Sequence, residues 1–182
     1  MKTLERLFSS LAAVLLLAMA APVLVSCGDD DDRTEEQRVA TYANGMFTYE
    51  VAQEVLDLVD VTLKYTDGDE VKTEKMTTNI WNKSTKQAKI PTTVGFKVTM
   101  KLKDGITLDK DKYTVSYFDG DPFVGIYDQD GYSMNVDVDY SWSSMDNYVS
   151  KDEFLNYVND YCYEYVVNVK EGGKIEKTTK DW

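Results

Sequence analysis

The chain can draw chemistry from two thiols, Cys27 and Cys162, and from 32 carboxylates, and it has no histidine. Without an imidazole there is no Ser-His or Cys-His pair to activate a nucleophile, no histidine metal site and no base of the usual kind near neutral pH. Asp119, Asp121, Asp128 and Asp130, with Ser133 and Asn135 as further oxygen donors, fall at spacings that could gather calcium. The EF-hand order is not followed: Gly131 is the fourth residue of the stretch from Asp128 and not the sixth, and no glutamate stands twelfth. Turn-forming Asp-Gly chemistry accounts for the same residues, so no metal or cofactor is assigned. No two carboxylates are singled out as a glycosidase pair, and no catalytic residue is assigned. Thirteen tyrosines, with Trp81 and Trp142, could include a platform for sugar rings. Tyrosine is equally a good strand former whose hydroxyl tolerates a wet rim. Cys162 shares its alternating face with Glu164, Val166 and Asn168, which predicts a half-buried, inert thiol.

Cys27 stands in a different context. Met1-Lys2 and Arg6 precede an apolar run from Leu7 to Val25, broken only by Ser9, Ser10 and Pro22, which is the pattern of a secretory signal. An uncleaved transmembrane helix is the alternative, but a small-residue exit into a cysteine is a processing pattern. Leu24-Val25-Ser26-Cys27 resembles the lipobox of bacterial lipoproteins. The resemblance implies that residues 1–26 are removed as a signal peptide and that Cys27, acylated with palmitate-type chains, becomes the membrane attachment; two or three such chains make release negligible. Cys162 is then left without an intramolecular disulfide partner. Cys27-Gly28 followed by Asp29, Asp30, Asp31 and Asp32 also resembles the acidic export signal of Bacteroidota lipoproteins, which implies the outer membrane and its outer surface. Physically, four adjacent charges repel one another and hold an extended spacer.

The elements behind this anchor are read from periodicity. Residues 27–45 are polar, lack apolar rhythm and end at the turn-like dipeptide Asn44-Gly45, so they read as an acidic flexible tether. Residues 46–182 read as a single β-rich domain. Phe47, Tyr49 and Val51 alternate as a first strand, and Gln53 to Asp57 make a helical turn. Leu58 to Thr66 and Glu70 to Thr78 form a hairpin through Asp67-Gly68-Asp69. A polar segment follows Trp81 as far as Ile90-Pro91. Val94 to Leu102 and Tyr132 to Trp142 alternate strictly and are expected to supply two inner faces that cover each other. Tyr113 to Phe118 and Phe123 to Tyr127 are shorter strands. Ser150 and Glu153 have capping-box spacing ahead of a short helix, and Tyr163 to Thr179 closes as a hairpin through Gly172-Gly173. The class expected is mainly β, an antiparallel β-sandwich or incomplete barrel with one short helix in the C-terminal half.

Val61-Thr62-Leu63-Lys64-Tyr65-Thr66-Asp67-Gly68, Gly95-Phe96-Lys97-Val98 and Lys112-Tyr113-Thr114-Val115-Ser116-Tyr117 resemble a group of small Bacteroidota lipoproteins of uncharacterised function. That resemblance covers residues 46–182 and carries no catalytic or binding residues with it. A formal charge of −12, with Arg33 and Arg38 as the only arginines beyond the signal, excludes nucleic acid as a partner. The expectation is a monomeric, non-catalytic binding or accessory module on the outer membrane, with a glycan or protein ligand. A fibre subunit is the alternative, because Arg33 and Arg38 lie where pilin-like lipoproteins are cut before strand donation. An enzyme of unassigned type comes third.

Overall fold

The computed structural model describes residues 38–116, 121–138, 146–179 and 182. Leu24 to Cys27, Asp29 to Asp32, Asp119 and Trp142 lie outside the described residues. In chain order the elements are β1 (Tyr42–Glu50), α1 (Gln53–Leu58), β2 (Val59–Asp67), β3 (Glu70–Lys75), β4 (Ile80–Ser84) and β5 (Ala88–Lys89). They continue with β6 (Thr92–Leu102), β7 (Tyr113–Ser116), β8 (Asp121–Tyr127), β9 (Ser133–Val138) and β10 (Asp146–Val149). The last three are α2 (Lys151–Asp160), β11 (Cys162–Val169) and β12 (Ile175–Lys177).

Two antiparallel sheets follow from these strands. Sheet I has the order β4-β1-β8-β9 with β5 also on β1, and sheet II has the order β12-β11-β6-β2-β3. The sheets face each other as a sandwich and do not close into a barrel. Alternation decides which residues meet: β2 sends Val59, Val61, Leu63 and Tyr65 inward, and β6 sends Val94, Phe96 and Val98 inward, none more than 2% exposed. Sheet I answers with Phe47, Tyr49, Val124 and Ile126. Phe96 is the hinge pin of this core. Its ring stacks on Phe47 at 5.0 Å and on Trp81 at 5.7 Å, both nearly parallel. Each such side chain removed from water contributes roughly 1.5–3 kcal/mol before any stacking is counted.

A smaller β7–β10 ladder carries the helices. Ser150 and Glu153 form the expected capping box of α2, with the Ser150 N–H donating to Glu153 Oε2 at 2.8 Å. The helix then buries Phe154 and Val158, and Phe154 stacks on Tyr113 at 5.0 Å.

Four expectations are corrected. The chain is ordered before residue 46, because Thr41 N–H already donates to Tyr127 O at 2.8 Å and β1 begins at Tyr42. Asn44-Gly45 is therefore not a turn but the middle of β1. A Cβ on Gly45 would lie 2.2 Å from Phe47 Cζ, so the glycine makes room for a core ring and serves no reversal. The polar run after Trp81 opens inside a strand, β4, recruited by pairing with β1 from Glu50↔Ile80 to Met46↔Ser84. Polar strands are invisible to a hydrophobic rhythm but form where an edge needs partners.

The fourth correction concerns β9, whose apolar positions do not face the core. Val136 stands opposite Gly125 and Asp137 opposite Val124. Since Val124 is fully buried, Asp137 is on the inner side, where Tyr165 Oη donates to it at 2.7 Å, and Val136 points out, 46% exposed. Sheet I, led by β1 and β8, covers β6 in its place. Strict alternation fixes that a strand has two faces; it does not say which is buried when the strand ends up at an edge.

Candidate ligand-binding face

The outer face of sheet I gathers side chains that a wet sheet surface does not ordinarily offer. Ala43, Phe47 and Tyr49 of β1 point inward, so Met46 and Thr48 point out. Register then sets Met46 beside Phe123 of β8 and Ser84 of β4, and Thr48 beside Asp121 and Asn82. These residues, with Lys83, line a shallow groove of about 400 Å³. Met46 and Phe123 form an apolar floor, half-buried, with hydroxyl, amide and carboxylate groups around it. Thr48 Oγ1 donates to Asn82 Oδ1 at 2.8 Å, which fixes one wall. Across β8 the apolar strip continues to Val136, and Tyr127 lies over Gly125 with its hydroxyl where a Cβ would be 2.5 Å away. Tyr132 and Met134, on the approach to β9 and within it, are 50% and 37% exposed.

The edge of this groove is held by a polar clasp between the sheets. Glu74 of β3 accepts from Trp81 Nε1 at 3.1 Å, from Lys83 Nζ at 2.9 Å and from Tyr65 Oη. Those three donors, Tyr65 first, lower its carboxyl from 4.5 to about 2. Burial, and then the bond to Glu74, raises the Tyr65 phenol, and the bonds to Tyr65 and Glu74 raise the Lys83 ammonium. The carboxylate stays charged and the phenol and ammonium stay protonated through neutral pH. The cluster is thus an ionised tie between β3 and β4 and not a group poised to exchange protons. A second tie lies nearby: Asp67 accepts from Lys72 and from the Lys86 N–H at 2.7 Å, and these bonds, Lys72 first, hold its carboxyl below the usual range.

Of the candidate calcium ligands, Asp128 organises a turn. Asp128 is 2% exposed, and its Oδ1 accepts the N–H groups of Asp130 and Tyr132, both at 2.9 Å. Its Oδ2 lies 4.0 Å from Arg38 Nε, and the Arg38 guanidinium sits 4.6 Å above the Tyr132 ring. Asp121 stands at the far end of β8, in the groove. Among the described residues no group of three acidic or thiol ligands assembles. Cys162 is exposed, contrary to the half-buried thiol expected, because it opens β11 where Thr99 is its cross-strand neighbour on the wet face. Trp81 is no open platform: it packs on Phe96, with Tyr65 5.4 Å away.

A tighter cleft of about 280 Å³ lies between α1 and β7, with Glu54 and Asp57 on one side and Lys110 and Lys112 on the other. Thr114 Oγ1 donates across it to Glu54 Oε2 at 2.6 Å. Of the groove residues only Asp121 was singled out by sequence, and then as an oxygen donor for calcium. The one signal available was that Phe123 and Met46 fall out of phase with the buried positions of their strands, which is only visible once β1 is extended back to Tyr42. No protein-family model, curated protein or solved structure matches the chain.

Proposed function

We propose that this chain is a lipid-anchored binding module of the outer membrane, attached through Cys27 and presenting the outer face of sheet I to a neutral glycan. The observation that carries the reading is the groove over Met46 and Phe123. Sugar rings alternate an apolar C–H face with a hydroxyl edge, and this groove pairs an apolar floor with Thr48, Asn82, Ser84 and Asp121. Charge narrows the class. Lys83 is engaged by Glu74, Asp121 lines the groove, and the chain carries −12, so an anionic glycan meets repulsion where a neutral one does not. A glycan array probed with residues 28–182 tests this. Binding to neutral glycans that Phe123→Ala abolishes supports it; binding that survives Phe123→Ala, or none at all, sinks it.

One observation favours a fibre subunit instead. Among the described strands β9 ends sheet I, with Met134 and Val136 exposed along it, and an open edge can accept a donated strand. Protein extracted from membranes distinguishes the two. An N-terminus just after Arg33 or Arg38, with a heat-labile ladder on unboiled gels, means a fibre; an acylated Cys27 on a monomer means the binding module.

A further inference from the structure

The wet face of sheet II carries one side chain that belongs to none of its strands, Trp182. We propose that the hollow over Gly95 is a binding notch for an indole, filled here by Trp182, and able to take a tryptophan-bearing peptide when that residue is withdrawn. Gly95 points outward, between the inward Val94 and Phe96. A Cβ at this position would come within 2.8 Å of Trp182 Cδ2 and Cε2 and within 3.0 Å of Cε3, so the ring rests on the glycine itself. Gly95 is not among the residues with positive φ, so the backbone would accept any residue there and only the space above it demands glycine.

The walls agree with this. Val166, directly across the ladder from Gly95, is 3% exposed although the same face of β11 carries the exposed Glu164. Thr66, on the β2 side, is 8% exposed, and its Oγ1 accepts the Gly95 N–H at 3.1 Å. Lys64 closes the notch, with its ammonium 4.6 Å from the indole centroid while donating to the Trp182 carbonyl oxygen. Lys64 thus reads the ring and the main-chain oxygen of one residue together, which a tryptophan offers and a bare indole does not. Thr178 N–H donates to Val166 O at 3.0 Å, which keeps the chain beside β11 just beyond β12. The indole Nε1–H is enclosed without an acceptor among the described residues. Shape and the cation–π contact therefore hold the ring without help from its polar edge, which leaves it exchangeable.

The detergent-solubilised full chain allows a direct test. Trp182→Ala should bind N-acetyl-tryptophanamide with a Kd on the order of 1 mM, as befits one side chain, read as saturable amide shifts at Gly95 and Val166. The parent, with its notch filled, should show none. Gly95→Val, which suits a strand, should abolish binding in the Trp182→Ala background. A second measurement does not depend on Trp182→Ala folding: in the 5-fluorotryptophan-labelled parent, three tryptophans give three fluorine resonances. Gly95→Val should move the Trp182 resonance, assigned with Trp182→Phe, to the solvent-exposed position. A folded Trp182→Ala without saturable shifts, or a Trp182 resonance untouched by Gly95→Val, overturns the proposal.

Discussion

Replacing Glu74 by Gln keeps the shape of the clasp and removes its charge. Three donors converge on the carboxylate, from Tyr65, Trp81 and Lys83. Hydrogen bonds to a charged partner contribute roughly 1.5–3 kcal/mol each, against about 0.5–1.5 for neutral ones. Water reduces this, because the Glu74 and Lys83 side chains are 39% and 31% exposed. Glutamine retains one acceptor oxygen but turns an NH2 group toward a donor. The expected loss at neutral pH is therefore about 1–2 kcal/mol, or a Tm lower by about 3–6 °C. The pH dependence carries the sharper test. Folding lowers the Glu74 carboxyl from 4.5 to about 2, so its stabilisation is complete above 4.5 and is lost as pH falls toward 2. Urea melts of parent and variant should differ at neutral pH and converge as pH approaches about 2. A variant as stable as the parent at neutral pH, or a gap that persists undiminished in acid, refutes the charged clasp.

Phe96→Ala should cost about 3–5 kcal/mol in urea unfolding, since the ring is fully buried between Phe47 and Trp81. Gly45→Val should unfold or severely destabilise the domain, because Phe47 occupies the space of any side chain there; circular dichroism of a variant with an unchanged Tm would count against the described register. Cys27→Ala should abolish labelling by an alkynyl fatty acid and leave unprocessed precursor, whereas labelling equal to the parent would mean the lipobox reading is wrong. Replacing Asp29 to Asp32 by alanine should keep the lipid yet reduce protease shaving from intact cells; unchanged shaving reduces the run to a spacer.

The strands with the cleanest rhythm were legible at once. Val94 to Leu102 and the hairpin through Asp67-Gly68-Asp69 lie where period-two patterning and turn residues place them, and the Ser150–Glu153 box opens α2 as its spacing requires. What escaped has a common cause: it depends on partners far along the chain. β4 is a strand because β1 needs a neighbour, Gly45 is a glycine because of Phe47, and the apolar side of β9 is wet because its register sets Asp137 opposite the buried Val124. The groove escaped for the same reason, since Met46, Asn82 and Phe123 become neighbours only through register. Trp182 carried no local signal at all, being one aromatic in a polar stretch whose place is set by Gly95 on a distant strand.

The pairing of Arg38 with Asp128 fixes the corner at which the described chain enters the domain. Arg38 reaches the β8–β9 reversal, so a pull from the preceding residues arrives at that corner of sheet I. β8 runs from Tyr127 at this corner to Asp121 in the groove, seven residues or about 20 Å of strand. Met46, Asn82 and Phe123 accordingly lie toward the end of sheet I away from that corner. The same geometry sets how a pull is shared. Between this corner and a ligand held at the groove the force runs along β1 and β8, so the ladder from Tyr42↔Tyr127 to Thr48↔Asp121 is loaded in shear and its bonds bear the pull together.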